Sequence, residues 1–376
     1  MKLSDYRQYF PICETDIYLN HAAVSPLSTR VHHDLQDMVT KRSQGPIEVF
    51  PEFLEIKKEL KSNLARLVDG EVEQIAIIGN TSEGFNWLVN GLEWQEGDRV
   101  LLVENEFPAN IYPFLNLESS GVIIDYVPVN DGLIYLEDIE KNIHPRTRLL
   151  SISFVEFLSG FRNQLVEIGK ICREKGIIFS VDSIQGLGGM PLSVRNAQID
   201  FLSNGGHKWL MGLQGCGFMY VAPRLMNQLK PAFVGWLSVK DSWNFFDYRL
   251  DFLDDAGRFE IATPNLMGMV GLRASTGLLL EAGIGNIAPH LLDLGERMIT
   301  GMSEIGYRYI GSQNTAERSG IYSFNGPDTV GMIKYLKENH IHISLRNEVL
   351  RFSPHFYNTP AEIDEMIHIC KRYKAL

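Results

Sequence analysis

Short apolar runs alternate with amphipathic stretches along most of this chain, and no other feature limits its fold so strongly. QIAII (74–78), RVLLVE (99–104), VIIDYV (122–127), RLLSISFV (148–155) and IIFSV (177–181) are apolar on successive residues rather than on every second one. Such strands belong in a sheet covered by helices on both faces, because every side chain, up or down, must leave water. Helical patterns lie between them. One spans 53–68 and stops at Asp69-Gly70, one is FNWLVNGL (85–92) after GNTSEG, and one is QLVEIGKICREKG (164–176) with its terminal glycine. GFMYVA (217–222) reads as one more strand. The alternation predicts an open, mainly parallel α/β sheet.

The pattern changes after Pro264, where two helical stretches (266–282 and 286–305) precede short strands near IYSF and HISL and a closing helix over 359–373. A chain of 376 residues is long enough for two domains. The expected division is a large α/β domain over 16–263 and a smaller α+β domain over 264–376, joined by the N-terminal arm 1–15. Charged residues make up 22% and hydrophobic ones 45%, the balance of a globular protein. A formal charge of −11 argues against a nucleic-acid or anionic-membrane surface, since both need a clustered basic face. The opening MKLSDYRQYFPICETD lacks the layout of a signal peptide, and no apolar run reaches the roughly 18 residues of a membrane span. Cys13, Cys172, Cys216 and Cys370 are scattered without metal spacing, so reduced thiols in a cytoplasmic protein are expected.

In such sheets ligands sit at the carboxyl ends of strands. GNTSEG (79–84) joins a strand to a helix, so the hydroxyls of Thr81 and Ser82 either seat a phosphate at the helix start or simply cap the helix. It is neither a Walker loop nor a GxGxxG fingerprint. Asp182 follows IIFSV, and its carboxylate either closes the strand in an Asx-turn or faces a ligand, with Gln185 three residues on. SNGGHKWLMGLQGCGFMYV (203–221) places His207 and Lys208 between glycine clusters, and Trp209, Leu210 and Met211 follow the lysine. A lysine among such neighbours is partly desolvated and gives up its proton readily, which suits condensation with an aldehyde. Arg346 and Arg351, near the end of the small domain, can each grip a carboxylate or form a surface ion pair. Phe107, just after RVLLVE, either stacks on a flat ring or belongs to the core.

Taken in order, YLNHAAVSP, NTSEG, EFPANIYP, VDSIQGLG, GGHKW, FEIATPN and LRFSPHFYNT resemble the class V aminotransferase family. These are fold-type I pyridoxal phosphate (PLP) enzymes and include cysteine desulfurases, isopenicillin N epimerase-like proteins and kynureninase. The combination VD-x-x-Q followed by GHK carries most of the likeness, which covers nearly the whole chain. It implies a mainly parallel seven-stranded sheet with helices on both faces and a smaller α+β C-terminal domain. By matched position, Lys208 looks like the lysine that joins the cofactor as an imine, and Asp182 like the partner of its pyridine nitrogen. Gln185 matches the position near the ring oxygen, and Thr81, Ser82 and His207 match the phosphate-holding positions. Phe107 takes the ring-stacking place. Thr263 resembles a residue given to the partner subunit's phosphate, which implies a homodimer with shared active sites. Arg351 resembles the carboxylate-binding arginine, and Arg346 and His21 are further candidates for binding substrate.

The chain also departs from the desulfurase pattern. Phe107 stands where desulfurases stack a histidine, Gly205 replaces the serine before GHK, and Phe157 stands where many relatives have an asparagine. No cysteine occurs over 347–350, where desulfurases carry their reactive thiol, so sulfur transfer is not expected. GWLSVKDSWNF (235–245) is similar to the epimerase-like branch. The resemblance therefore implies a PLP enzyme acting at Cα of a small amino acid, with aminotransfer as the favoured reaction. Epimerisation and C–S or β-elimination are the alternatives on the same scaffold. A non-catalytic PLP-binding regulator and a nucleotide-binding α/β protein are the readings from other classes.

Overall fold

The computed structural model describes residues 2–374. Its centre is a seven-stranded sheet of β1 (Ile75–Ile78), β2 (Arg99–Val103), β3 (Ile123–Val127), β4 (Thr147–Ser153), β5 (Ile178–Asp182), β6 (Phe201–Gly205) and β7 (Gly217–Val221). The spatial order is β1-β7-β6-β5-β4-β2-β3. Only β7 runs against its neighbours, pairing antiparallel with both β1 and β6. The expected mainly parallel sheet is thus present, with β6 as a strand that the sequence patterning had left unassigned. The turn from β6 back into β7 returns on the same edge, and Lys208 lies on it.

Both faces of the sheet are covered. Ile75, Ile77, Leu101, Val103, Phe179 and Val181 share one apolar cluster with helices Phe50–Val68, Leu165–Glu174 and Leu266–Ala282. Their alternate neighbours Ala76, Ile78, Val100, Leu102 and Ile178 share another with helix Thr81–Gly91. Successive side chains on a strand point to opposite faces, which is why these runs are continuous rather than alternating. β3 is the exception. As an edge strand it leaves Ile123 41% exposed, so its apolar run does not mean burial on both sides.

Helix Phe50–Val68 ends where Asp69 takes a left-handed conformation (φ 57°) and Gly70 N–H bonds back to the Ala65 carbonyl. Helix Thr29–Gln44, capped by Ser28, has only Val31 and Met38 buried, too thin an apolar stripe to register as a pattern.

The C-terminal part builds a four-stranded antiparallel sheet from β8 (Arg308–Tyr309), β9 (Tyr322–Asn325), β10 (Ser344–Arg346) and β11 (Val349–Phe352), in the order β10-β11-β9-β8. Helices Ile284–Glu304, Thr329–Glu338 and Pro360–Lys374 flank it. Its own apolar cluster begins at Leu294 and includes Leu19 from the N-terminal segment. Helix Leu266–Ala282 instead packs on the large core, against Phe50–Val68. The N-terminal arm docks on the closing segment, with Phe10 stacked 3.9 Å from Tyr357 and Arg7 paired to Glu362 at 2.8 Å. Among the described residues, no helix is long and apolar enough to cross a membrane.

Candidate active site

A cavity of about 390 Å³ opens at the carboxyl ends of the strands, and most of the residues singled out from the sequence line it: Thr81, Ser82, Phe107, Asp182, Gln185, His207, Lys208, Arg346 and Arg351. Asp182 is the last residue of β5. The strand register sets it beside Ser153 of β4, and its Oδ1 accepts the Ile184 N–H at 2.9 Å. It therefore makes the Asx-turn and also faces the cavity. Burial pushes its carboxyl up to about 6, against the Ile184 N–H and the Lys208 ammonium, which pull it down.

Lys208 is 8% exposed, and Trp209, Leu210 and Met211 beside it are at most 1% exposed. Burial lowers its ammonium to about 8; Asp182 acts the other way, and Arg351 and Arg346 add to the lowering. The loop is anchored from the N-terminal segment: the Ser25 hydroxyl donates to the Lys208 carbonyl at 2.5 Å, and the Ser25 N–H to the His207 carbonyl at 3.0 Å. Lys208 Nζ stands 5.2 Å from the centre of the Phe107 ring. That ring meets Phe157 edge-on at 5.6 Å, so the two phenylalanines form one apolar wall.

The helix start shows which residue of GNTSEG is the cap. Asn80 is the cap, its side chain accepting the Glu83 N–H at 2.9 Å, and Glu83 in turn accepts the Gly79 N–H at 2.7 Å. The capping role expected for Thr81 or Ser82 thus falls to the residue before them, since Asn80 holds the extended conformation that a cap requires. Thr81 Oγ is left buried and without a hydrogen-bond partner. Next to it, the first N–H groups of the helix have no intrahelical acceptor.

Arg351 is 2% exposed. Its Nε donates to Ser344 Oγ at 3.1 Å and one Nη to the Phe157 carbonyl at 2.7 Å, and no carboxylate among the described residues pairs with it. Burial and the neighbouring Arg346 lower it to about 10. Gln185 is braced on both sides, donating to the Ala22 carbonyl at 3.1 Å and accepting the Trp209 indole N–H at 3.1 Å. One amide hydrogen remains for a ligand.

Two expected residues are not brought to this cavity. His21 is fully buried, with its ring nitrogens against the Ser353 carbonyl (2.9 Å) and the Tyr357 hydroxyl (2.8 Å). The residues after it, Ala22 and Ala23, line the cavity instead. Thr263 is exposed and borders a different, smaller cleft beside Glu83 and Asn265.

Sequence reasoning missed two buried acids behind the site, Glu106 and Glu156, each 6% exposed. Glu106 accepts from the Ser153 N–H (2.7 Å), the Ser153 hydroxyl (2.9 Å), the Phe107 N–H (3.1 Å) and Asn110 Nδ2 (3.3 Å). Glu156 accepts from the Asn163 amide at 2.7 Å. A lone acid interrupting the apolar SFVEF was the available signal. Burial pushes both carboxyls up, with Asp182 adding to Glu106, and Glu106 and Asp182 adding to Glu156.

The residues fit pyridoxal phosphate. An orphaned hydroxyl at a helix start suits its phosphate, a buried carboxylate at a strand end its ring nitrogen, and a desolvated lysine its aldehyde. None of Cys13, Cys172, Cys216 and Cys370 lines the cavity.

Known proteins resemble the chain over nearly its whole length. The chain is similar to a probable cysteine desulfurase of Pyrococcus abyssi, 26% identical over 97% of this chain and 96% of that one. It is equally similar, at 26% identity, to an uncharacterized aminotransferase of Bacillus subtilis, over 96% of this chain and 95% of that one. In fold it resembles the apo structure of a cysteine desulfurase from Thermococcus onnurineus NA1, with a TM-score of 0.90 and 24% identity over 99% of this chain and 98% of that one. The family model described as "Aminotransferase class-V" matches residues 17–366, and this chain belongs to that family.

Proposed function

We propose that this protein binds pyridoxal 5′-phosphate at Lys208 and acts at the Cα of a small amino acid, removing its amino group by transfer. The observation that carries the reading is the buried guanidinium of Arg351, which faces the cavity of Lys208 and Asp182 without an anionic partner from its own chain. Burying a charge unpaired is unfavourable by several kcal/mol, so an anionic occupant is the natural complement. The Nη hydrogens left free by Ser344 and Phe157 can meet a carboxylate end-on.

When bound, the cofactor supplies an electron sink for the charge left on Cα as its proton departs. Asp182 keeps a proton on the ring nitrogen, which that sink requires. Lys208, partly neutral because it is buried, takes the Cα proton at Nζ and returns it as the conjugate acid. Thr81, Ser82 and His207 hold the phosphate, Gln185 offers its free amide hydrogen to the ring oxygen, and Phe107 with Phe157 keeps water off one side. We place a homodimer within the same proposal, since Thr263 is exposed and outside its own chain's cavity. A cytoplasmic location goes with the four free thiols.

A β-lyase is the second reading. It draws on the relatives named cysteine desulfurases, and with no thiol lining the cavity a cleaved C–S bond releases its sulfur to solution. Epimerisation asks for a second proton donor besides Lys208, and the wall beside Lys208 is apolar, formed by Phe107 and Phe157.

The purified protein should take up PLP with a visible absorbance, and borohydride should fix the cofactor to the wild type and not to Lys208→Ala. Transfer then yields a keto acid and aminated cofactor, whereas elimination yields a keto acid and free ammonia. Failure to take up PLP would end the proposal. A coloured protein that responds to no amino acid would point to the non-catalytic reading.

A further inference from the structure

The cavity holds more positive charge than an ordinary α-carboxylate can use. Asp182 is its one lining acid, against the cations Lys208, Arg346 and Arg351, with the His207 imidazole beside them. The phosphate positions account for the His207 side, where the helix start and Thr81 already stand. The two arginines lie elsewhere, on the C-terminal hairpin of β10 and β11.

Their placement is fixed by that hairpin. Ser344 pairs with Arg351, Leu345 with Leu350 and Arg346 with Val349, so only Asn347 and Glu348 form the turn. Both turn residues have positive φ (46° and 62°), the conformation that matches the twist of a tight two-residue hairpin. Arg346 is therefore the last paired residue of a short, closed ribbon rather than part of a free loop. Its side chain lines the cavity at the exposed rim, and its one hydrogen bond among the described residues is to the neighbouring Leu345 carbonyl at 2.9 Å. Arg351 lies deeper, braced by Ser344 and Phe157. One guanidinium is thus held at depth and another at the mouth of the same pocket.

We infer that the substrate is an amino acid with a second acidic group on its side chain, which Arg346 grips at the rim while Arg351 holds the α-carboxylate. This rests on the proposed function above. A side-chain carboxylate at the rim keeps part of its hydration, so the added selectivity is moderate. A neutral isostere loses that contact and leaves the rim guanidinium to water.

The test uses holoprotein and the visible absorbance of the bound cofactor, titrated with aspartate against asparagine and glutamate against glutamine. The members of each pair match in shape and differ in charge. The acidic member should half-saturate at about tenfold lower concentration than its amide. Arg346→Gln should still bind cofactor, which its absorbance checks, and should shrink that preference to about twofold. Equal responses to acid and amide in the wild type, or a preference that survives in Arg346→Gln, overturn the inference while the proposed function stands. Silence toward every amino acid, with or without charge, rejects the function and the inference together.

Discussion

Ser153 and Asp182 are register partners at the carboxyl ends of two neighbouring parallel strands, and Ser153 also gives both its N–H and its hydroxyl to Glu106. One serine thus ties a buried acid behind the site to the carboxylate in it. Glu106 receives two backbone and two side-chain donors, so the charge is best kept there. Glu156, with a single amide donor and like charges nearby, is the better place for a proton.

This pair gives a pH signature. An acid whose carboxyl is raised in the folded state lends stability that is fully present below its unfolded value and is lost as pH rises through the folded one. These two carboxyls should take stability from the apoprotein as pH climbs from about 5 to about 8. The contribution is read against the buried His21 and His355 and the half-buried His207, which act the other way in wild type and variants alike. Glu156→Gln should match the wild type at the lower pH, where Glu156 is already neutral. At the higher pH it should be more stable than the wild type. Glu106→Gln should be destabilised at both, by about 1–3 kcal/mol, because its donors lose their acceptor. Melting temperatures at the two pH values check this, and parallel curves for wild type and Glu156→Gln would count against it.

Lys208 carries the opposite sign. Its ammonium is lowered from the usual 10.5 to about 8, so between those values the folded state binds fewer protons than the unfolded one. Lys208 therefore adds up to about 3 kcal/mol to apoprotein stability as pH rises across that window. Lys208→Met should lack that contribution. The thiols of Cys172, Cys216 and Cys370, which burial pushes up, act the other way in both proteins. Chemical denaturation of both proteins at the two ends of the window measures the difference.

Arg351→Lys should retain cofactor and lose grip on substrate. Lysine keeps the charge but has no planar pair of hydrogens, and it cannot bridge Ser344 and Phe157 as the guanidinium does. A loss of about 10²-fold in kcat/KM is expected, with the absorbance of bound PLP retained. A variant of near wild-type efficiency would remove Arg351 from the carboxylate site.

Asp182 and Lys208 were legible because each lies at or just beyond the carboxyl end of a strand, where chain direction alone brings them together. The tight β10–β11 hairpin was not: HISLRNEVLRF contains neither Asn-Gly nor Asp-Gly, and its turn uses Asn347 and Glu348 in a conformation that glycine normally takes. Nor could spacing decide which of Asn80, Thr81 and Ser82 caps the helix, since all three residue types are good caps. His21 shows the limit in the other direction. A motif match set it beside the site, yet its neighbours Ser353 and Tyr357, far along the chain, claim both ring nitrogens. Glu156 stayed hidden because an acid inside an apolar run looks like an interruption until the fold shows what surrounds it.

Gly84 links the proposed cofactor seat to the core, and adding one methyl there should damage both. A Cβ at this position would overlap Ser203 Oγ and lie 2.9 Å from Ile78 Cδ1, contacts that real side chains essentially never make. Ser203 Oγ donates to the Thr81 carbonyl at 2.9 Å, so pushing it aside disturbs the first turn of the helix that presents Thr81 and Ser82. Gly84→Ala should lower stability by about 1–3 kcal/mol and weaken PLP binding by about tenfold. Gly277→Ala is the matched control, since that helical glycine meets only Asn63 Nδ2 at 3.9 Å. Alanine is the better helix former, so Gly277→Ala should gain about 0.4–1 kcal/mol with PLP affinity unaltered. Thermal melts and PLP titrations on the two variants separate the effects. If Gly84→Ala bound PLP as tightly as the control, the start of this helix would not be the phosphate seat.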